Sequence, residues 1–582
     1  MTESPTPETP IAAAESARRS QPITVVLCAL VVVAAWVVLQ LTGLGSAPFH
    51  TKGEPREGLV VWEMTHGGGW ILPRTNGVEM PFKPPLFHWL GALTSLARGR
   101  TDEWSIRFPS AALSLLGLLA VYAAGSALWS PRAGLCGALA LMTTFEWARS
   151  ATNARVDMTL TFGLELAFLS LFFFLRSRAT AWLVPLYLGI AFAVLGKGPV
   201  GILLPGLVAL TVMAVRRDIS PLRQMRLGSG ALAVGVLAGT WYVLALMTGG
   251  VEFFRTQIIS ENIWRVLDDP EFTGGHRHNL LYLPRELMLG VLPWTLFVPG
   301  IVARLWRERR TLSAQDARTY LLIWMVLVFT LYSISVTKRG VYLLGLYPAL
   351  GLLIGWWWDQ QCDAPDTDRW LRPLVSGFCW MLLGVLGLGS IVVLAEGLGA
   401  PLIATTLRWL PPEAHADAMV VSQLIRARWL AILMSVTVAA AALVASIRAT
   451  RSGRWQLLFA TIFLATATIL LTAQLIVMTE FAQRKTLRGF LTVARQVAGP
   501  TGMPYFYKCF DHGAVYYSQG HIPTYDGPFP DAKAPRYLLM TGAVWNEAQA
   551  SARNLYEQVP IAGEEDRQDP TRLVLVRRVE VP

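Results

Sequence analysis

Apolar windows of roughly 18–25 residues recur along almost the whole chain, each long enough to cross a bilayer as a helix. They lie near 22–44, 104–128, 132–149, 156–175, 180–196, 199–215, 226–247, 281–305, 317–336, 341–358, 371–397, 427–447 and 455–478. About thirteen spans are therefore expected, an odd number that puts the two termini on opposite sides. With 53% hydrophobic and only 15% charged residues among 582, a soluble fold is excluded, and the expected class is an α-helical polytopic membrane protein. Residues 1–21 are rich in Pro, Thr, Glu and Ala and read as a disordered cytoplasmic tail. The apolar stretch that follows is too long for the core of a signal peptide and reads as a first span.

The net charge of +11 does not point to nucleic acid, because the cations sort by topology. Arg176/Arg178, Arg216/Arg217/Arg223/Arg226, Arg304/Arg307/Arg309/Arg310, Arg369/Arg372 and Arg448/Arg451/Arg454 fall between alternate pairs of spans. By the bias of basic residues toward the cytoplasm, these loops share a side with the amino terminus. Loops 45–103 and 248–280, the turns near 150–155, 197–198 and 337–340, and everything after 478 then face outward. The five cysteines are scattered with no CxxC, which argues against a zinc knuckle or a disulfide framework.

On the outward side the charges are harder to explain as anchors. The segment KGEPREGLVVWEMTHGGGWILPRTNGVEMPFKPPLFHWL (52–90) mixes Glu54, Arg56, Glu57, Glu63, Arg74, Glu79 and Lys83 with aromatics and contains no run that could span. Lys197, Lys338 and Arg339 sit in very short outward turns, as do Arg149, Arg155 and Asp157. Snorkelling or helix capping would account for any one of them, but not for their convergence on one face. Glu54 and Glu57, three apart, share one face of a short helix. A carboxylate that deprotonates an incoming hydroxyl, with fixed cations such as Arg56, Lys83, Lys197, Arg265 and Lys338 to receive a departing phosphate, is equipment for group transfer from a lipid phosphate. The 248–280 loop adds His276, Arg277 and His278 after a Gly-Gly pair suited to a segment that closes on a ligand. His276 and His278 with a carboxylate have the chemistry for a divalent metal; phosphate contact and plain solvent exposure are the competing readings.

From about 483 the composition changes to that of a small α/β domain of roughly 100 residues. KTLRGFLTVARQV reads as a helix, MPYFYKC, GAVYYSQG, APRYLLMTGAVWN and TRLVLVRRVE as strands, and ASARNLYEQV as a helix between the last two. It carries no Gly-rich phosphate loop or nucleophile elbow, and Asp511, His512, Tyr516 and Tyr517 read as residues satisfied by the fold. The expected organisation is a tail (1–21), a membrane domain with two outward functional loops (22–482) and a periplasmic α/β domain (483–582).

The stretches GEPREGLVVWEM, GGGWILPRTNGVEMPFKPPLFHWLGAL, ATNARVDMTLTF, AVLGKGPVGILLP and SVTKRGVYLLGLYPAL resemble the GT-C membrane glycosyltransferases. The likeness is to the bacterial branch that includes the lipid A 4-amino-4-deoxy-L-arabinose transferases and is related to the protein O-mannosyltransferases. The resemblance implies a bacterial inner-membrane enzyme with its site facing the periplasm. It implies a polyprenyl-phosphate sugar donor and a lipid, glycan or protein acceptor. It also implies that Lys83 and an arginine or histidine of 274–279 hold the lipid phosphate, that Asp157, Lys197 and Lys338 line the cavity, and that an acidic residue opening the first loop acts as base. Relatives usually begin this motif Asp-Glu, where this chain has Gly53-Glu54, which moves the base to Glu54 with Glu57 and Asp157 as substitutes. Phe82 stands where the aminoarabinose branch commonly carries glutamate, which removes a candidate metal ligand. The expected catalytic set is therefore Glu54, Glu57 and Asp157. The expected binding set is Arg56, Lys83, Lys197, Arg265, His276, Arg277, His278, Lys338, Arg339 and Tyr342, with no cofactor assigned and a divalent metal left open. A lipid-linked sugar flippase or another transporter, and a non-catalytic lipid-sugar binder, are the alternatives. No repeat relates the two halves, as inverted-repeat transporters would show.

Overall fold

A computed structural model describes residues 10–77, 83–257, 259, 278–335, 337–409, 412–499, 502–531, 533–552, 555–561 and 572–579. The first helix, α1, runs Pro10–Trp36. It includes residues expected in the tail, since the Ala-rich run before Arg18 favours helix. Among the described residues ten helices are long and apolar enough to cross a membrane, and they coincide with ten of the expected windows. The other three windows take different forms. The 281–305 window is a pair of helices bent by 102° at a break after Gly290, and 199–215 is a 17-residue apolar helix, α9, Val200–Arg216. The 132–149 window is split into α5, Pro131–Thr143, and α6, Phe145–Ala151, by an extended Thr144.

Outward of α1 the chain forms α2, Gly53–Thr65, then α3, Leu86–Arg98, and α4, Glu103–Leu128. A capping box fixes the start of α4: the Ser105 N–H donates to Asp102 at 2.8 Å, and the Asp102 N–H donates to Ser105 Oγ at 3.0 Å. Then follow α7, Asp157–Ser177, and α8, Leu183–Lys197. Small residues let these helices approach closely. A Cβ at Gly163 of α7 would lie 2.6 Å from the Ala193 backbone nitrogen of α8, and one at Gly137 of α5 2.8 Å from the Gly351 carbonyl. Along the bundle the core is aromatic: Trp294, Trp357, Trp358, Trp455, Phe297 and Phe459 pack ring against ring.

The arginine loops gather at one end. Arg178 pairs with Asp218 at 2.5 Å, Arg216 donates to the Ala314 carbonyl, and Arg307 reaches buried Asp368. The turns carrying Arg155, Lys197 and Lys338 belong to the opposite ends of their helices, and Arg155 lies against the first residue of α2.

The carboxyl-terminal domain contains a four-stranded sheet in the order β1-β2-β4-β3, with β1 Tyr505–Phe506, β2 Tyr537–Thr541, β3 Tyr556–Gln558 and β4 Leu573–Arg578. β1 runs parallel to β2, and β4 lies antiparallel to both β2 and β3. The helix Arg488–Ala498 and the strands β1, β2 and β4 are where the sequence puts them. GAVYYSQG is instead a helix, His512–Ser518, capped by Asp511, which accepts from the Ala514 N–H at 2.9 Å. Its β-favouring tyrosines are overridden by burial of Ala514, Val515 and Tyr516 against α2 and the loop before it. The second expected helix is displaced toward the amino terminus, to Gly542–Ala552, and the YEQ of the expected helix is β3.

Candidate active site

The start of α2 is pinned from α4. Arg107 donates to both oxygens of Glu54, Nε to Oε1 at 2.8 Å and Nη2 to Oε2 at 3.0 Å, and the Ala154 N–H adds a third bond at 3.0 Å. Arg107 Nη1 also holds the Leu44 and Ala47 carbonyls at 3.0 and 2.7 Å, closing the loop before α2. Burial acts to raise the Glu54 carboxyl, but Arg107, the Ala154 N–H and His50 together outweigh it and the carboxyl lies below its usual range. Glu54, the expected base, is thus engaged at both oxygens and buried. Arg107 carries no sequence signal beyond being a cation near the outer end of a span.

One turn further on, Glu57 Oε1 accepts from Arg56 Nη2 at 2.5 Å, and Oε2 lies 2.8 Å from His88 Nε2 of α3. Burial works against the Glu57 charge, yet Arg56, His88 and Arg155 hold its carboxyl well below the usual range. His88 is 1% exposed and was not singled out in the sequence. Its only signal is a polar ring in an otherwise apolar helix face of LFHWL.

Asp157 opens α7, which puts its carboxylate at the positive end of a helix. Lys197, at the end of α8, donates to Asp157 Oδ1 at 2.5 Å, and Arg155 Nε stands 3.8 Å from Oδ2. Lys197 also lies over the Tyr342 ring, 4.6 Å from its centroid, and Tyr342 packs on Tyr332. Three expected residues from three distant stretches thus form one unit, joined by an ion pair and a cation–π contact. Lys338 is buried, with Nζ donating to the Ser335 carbonyl at 2.7 Å, and Arg339 is partly buried beside it. Lys83 is partly buried just before α3. His278 is exposed and stacks on Tyr282 with ring centroids 3.9 Å apart. Arg265, His276 and Arg277 lie outside the described residues.

A second acid-base pair, absent from the expected set, flanks the unit. Glu146 of α6 accepts from Arg149 Nη2 at 2.6 Å. Among the described residues no three His, Cys, Asp or Glu side chains converge as a metal site.

The carboxyl-terminal domain closes one side. Tyr517 donates to Glu103 at 2.8 Å, His521 Nε2 lies 2.9 Å from Glu63, and the Asn76 side chain and Ile522 backbone exchange two hydrogen bonds. A Cβ at Gly513 would touch the Pro55 ring of α2 at 3.7 Å. His512, expected to serve the fold alone, is within electrostatic reach of Arg56 and Glu57. Burial, and then Arg56, lower its ring below the usual histidine range.

Comparison with known proteins agrees with this layout. Residues 82–242 match the family described as dolichyl-phosphate-mannose-protein mannosyltransferase. The chain is 27% identical over 374 residues to the undecaprenyl phosphate-alpha-4-amino-4-deoxy-L-arabinose arabinosyl transferase of Pectobacterium atrosepticum, covering 62% of this chain and 65% of that protein. It is 29% identical over 352 residues to the corresponding transferase 1 of Pseudomonas fluorescens, covering 58% of each. The chain thus spans somewhat under two thirds of the length of these curated relatives. The crystal structure of ArnT from Cupriavidus metallidurans bound to undecaprenyl phosphate superposes with a TM-score of 0.71 over 95% of this chain and 97% of that one, at 22% identity. The chain has the GT-C membrane fold, and within it resembles the aminoarabinose transferases and protein mannosyltransferases.

Proposed function

We propose that this protein is a glycosyltransferase of a bacterial inner membrane, moving a sugar from a polyprenyl-phosphate carrier to a periplasmic acceptor such as lipid A, another glycan or a protein. The observation that carries this reading is the Asp157–Lys197–Tyr342 unit beside Glu57. It is a buried carboxylate with adjoining fixed cations at the non-arginine end of a membrane bundle, where a lipid-borne phosphate would arrive. The names of the relatives, which act on undecaprenyl-phosphate sugars, support the donor class.

In this reading an acceptor oxygen attacks the anomeric carbon, the bond from that carbon to the phosphate oxygen breaks, and the carrier phosphate leaves with the electron pair. One displacement inverts the anomeric configuration. Asp157, whose second oxygen has its nearest ion contact among the described residues at 3.8 Å, orients the acceptor and takes its proton. Glu57, held strongly ionised by Arg56 and His88, keeps those groups placed. Glu54 is assigned to holding the first loop, since Arg107 and the Ala154 N–H occupy it. Lys83, Lys197 and Lys338 stabilise the departing phosphate, with Arg265, Arg277 or a histidine of the same loop as further contacts.

The test is transfer by the purified chain in vesicles from radiolabelled polyprenyl-phosphate sugars to an envelope extract. Label in the acceptor with wild type and none with Asp157→Asn supports the reading. Movement of labelled carrier across the vesicle without transfer gives the case to a flippase.

A further inference from the structure

Gly53, the first residue of α2, has no room for a side chain. A Cβ built there would fall on Arg155 Nη1, inside van der Waals contact, and 3.0 Å from Arg155 Cζ. The guanidinium thus occupies the volume that any other residue at 53 would fill. Its commitments are few: the 3.8 Å ion contact to Asp157 is its shortest side-chain polar contact among the described residues. Its side chain is one quarter exposed, whereas its neighbours are held in closer contacts. Arg56 is bonded to Glu57 at 2.5 Å, Lys197 to Asp157 at 2.5 Å, and Arg107 is saturated by Glu54 and two carbonyls.

A guanidinium offers five donors in a planar fork that matches two oxygens of a phosphate. Here that fork stands 3.8 Å from Asp157 and acts on the charges of both Glu57 and Asp157. The two carboxylates are already offset by Arg56 and Lys197, so Arg155 is surplus positive charge that an anionic group would neutralise. We propose that Arg155, seated over Gly53, is a substrate-binding residue that grips the phosphate of the lipid carrier in a bidentate manner, and that glycine at 53 exists to make that seat. This inference rests on the glycosyltransferase reading above and adds to it a phosphate contact and the residue that permits it.

The experiment measures binding of undecaprenyl phosphate to the full chain in nanodiscs, with thermal unfolding recorded for each variant. Arg155→Gln weakens binding roughly ten- to hundredfold, the worth of a charge-assisted contact, and Arg155→Lys does not restore it, because an ammonium lacks the fork. Gly53→Ala folds, since only the end of a flexible side chain must move, and weakens binding in the same direction. In the Arg155→Gln background Gly53→Ala has no further effect, the mark of a shared interaction. The proposal is overturned if Arg155→Gln binds within about twofold of wild type, or if the two substitutions act additively. Full rescue by Arg155→Lys also overturns it, since that is what a mere counter-ion of Asp157 would give. A wild-type protein that binds no undecaprenyl phosphate overturns this inference and the donor assignment together, whereas binding without an Arg155 effect removes the inference alone.

Discussion

Arg107 and Glu54 form a two-pronged ion pair, 2.8 and 3.0 Å, that fastens α2 to the amino-terminal end of α4. Both side chains are nearly inaccessible, 5% and 4% exposed, so the pair is a desolvated one. Removing one partner strands the other. Arg107→Ala or Glu54→Ala should cost about 3–5 kcal/mol of stability, and the double substitution should cost less than the sum. Thermal unfolding in detergent checks this, and an additive double mutant would count against the pairing.

Asp157→Asn keeps the shape of the side chain but removes the charge. Loss of a general base lowers rates by about 10²–10⁴, so turnover should fall by that much. Lys197→Ala should act on turnover as well, because it removes both the Asp157 bond and the Tyr342 contact. Glu54→Gln should show its main effect in unfolding temperature, which separates a holding residue from a reacting one.

Tyr516 is buried and packs on Phe49 with ring centroids 5.1 Å apart, whereas His521 pairs with Glu63 but has a half-exposed side chain. The two contacts between the carboxyl-terminal domain and the first loop should differ in worth. Tyr516→Ala should cost about 3 kcal/mol or more, and His521→Ala under about 1 kcal/mol. Release of the domain by limited proteolysis reports the order; equal effects would contradict it.

Acid should loosen the same interface in two stages. The His512 ring is lowered by burial and by Arg56, with Glu57 and Asp511 opposing. Above its unfolded value of 6.5 it is neutral in both states. Below that pH the unfolded chain binds a proton that the folded chain resists, so stability falls. Glu54 and Glu57 are also lowered, from 4.5, so their contribution is intact above that value and is lost as pH falls through their folded values. Unfolding temperature against pH should therefore decline from about pH 6.5 and again below about 4.5. His512→Asn should reduce the first decline, to which His50, also lowered by burial, contributes, and leave the second.

Gly163 of α7 faces the Ala193 backbone, where a Cβ would lie at 2.6 Å. Gly163→Val should force α7 and α8 apart and lower the yield of folded protein, read by size-exclusion chromatography. Gly206, with nothing near its Cβ position, should accept alanine without loss.

Much of the layout was legible because the signals were local. A span declares itself by its own run of apolar residues, and Lys197, Lys338 and Asp157 draw notice as charges in turns too short to need them. The bonds of Glu54 were not legible: they come from Arg107, 53 residues away, and a carboxylate engaged at both oxygens looks the same in sequence as a free one. His512–Ser518 failed as a strand for a similar reason, since packing against α2 outweighed the preference of its tyrosines.

The sequence by itself determined that this chain is a membrane bundle, that its arginine loops share one side, and that charge collects on the other, because hydropathy and charge act residue by residue. Which cation pairs with which carboxylate, and that Gly53 lies under Arg155, came only with the fold. Those are properties of pairs brought together from distant parts of the chain, set by packing geometry at the scale of one methyl group.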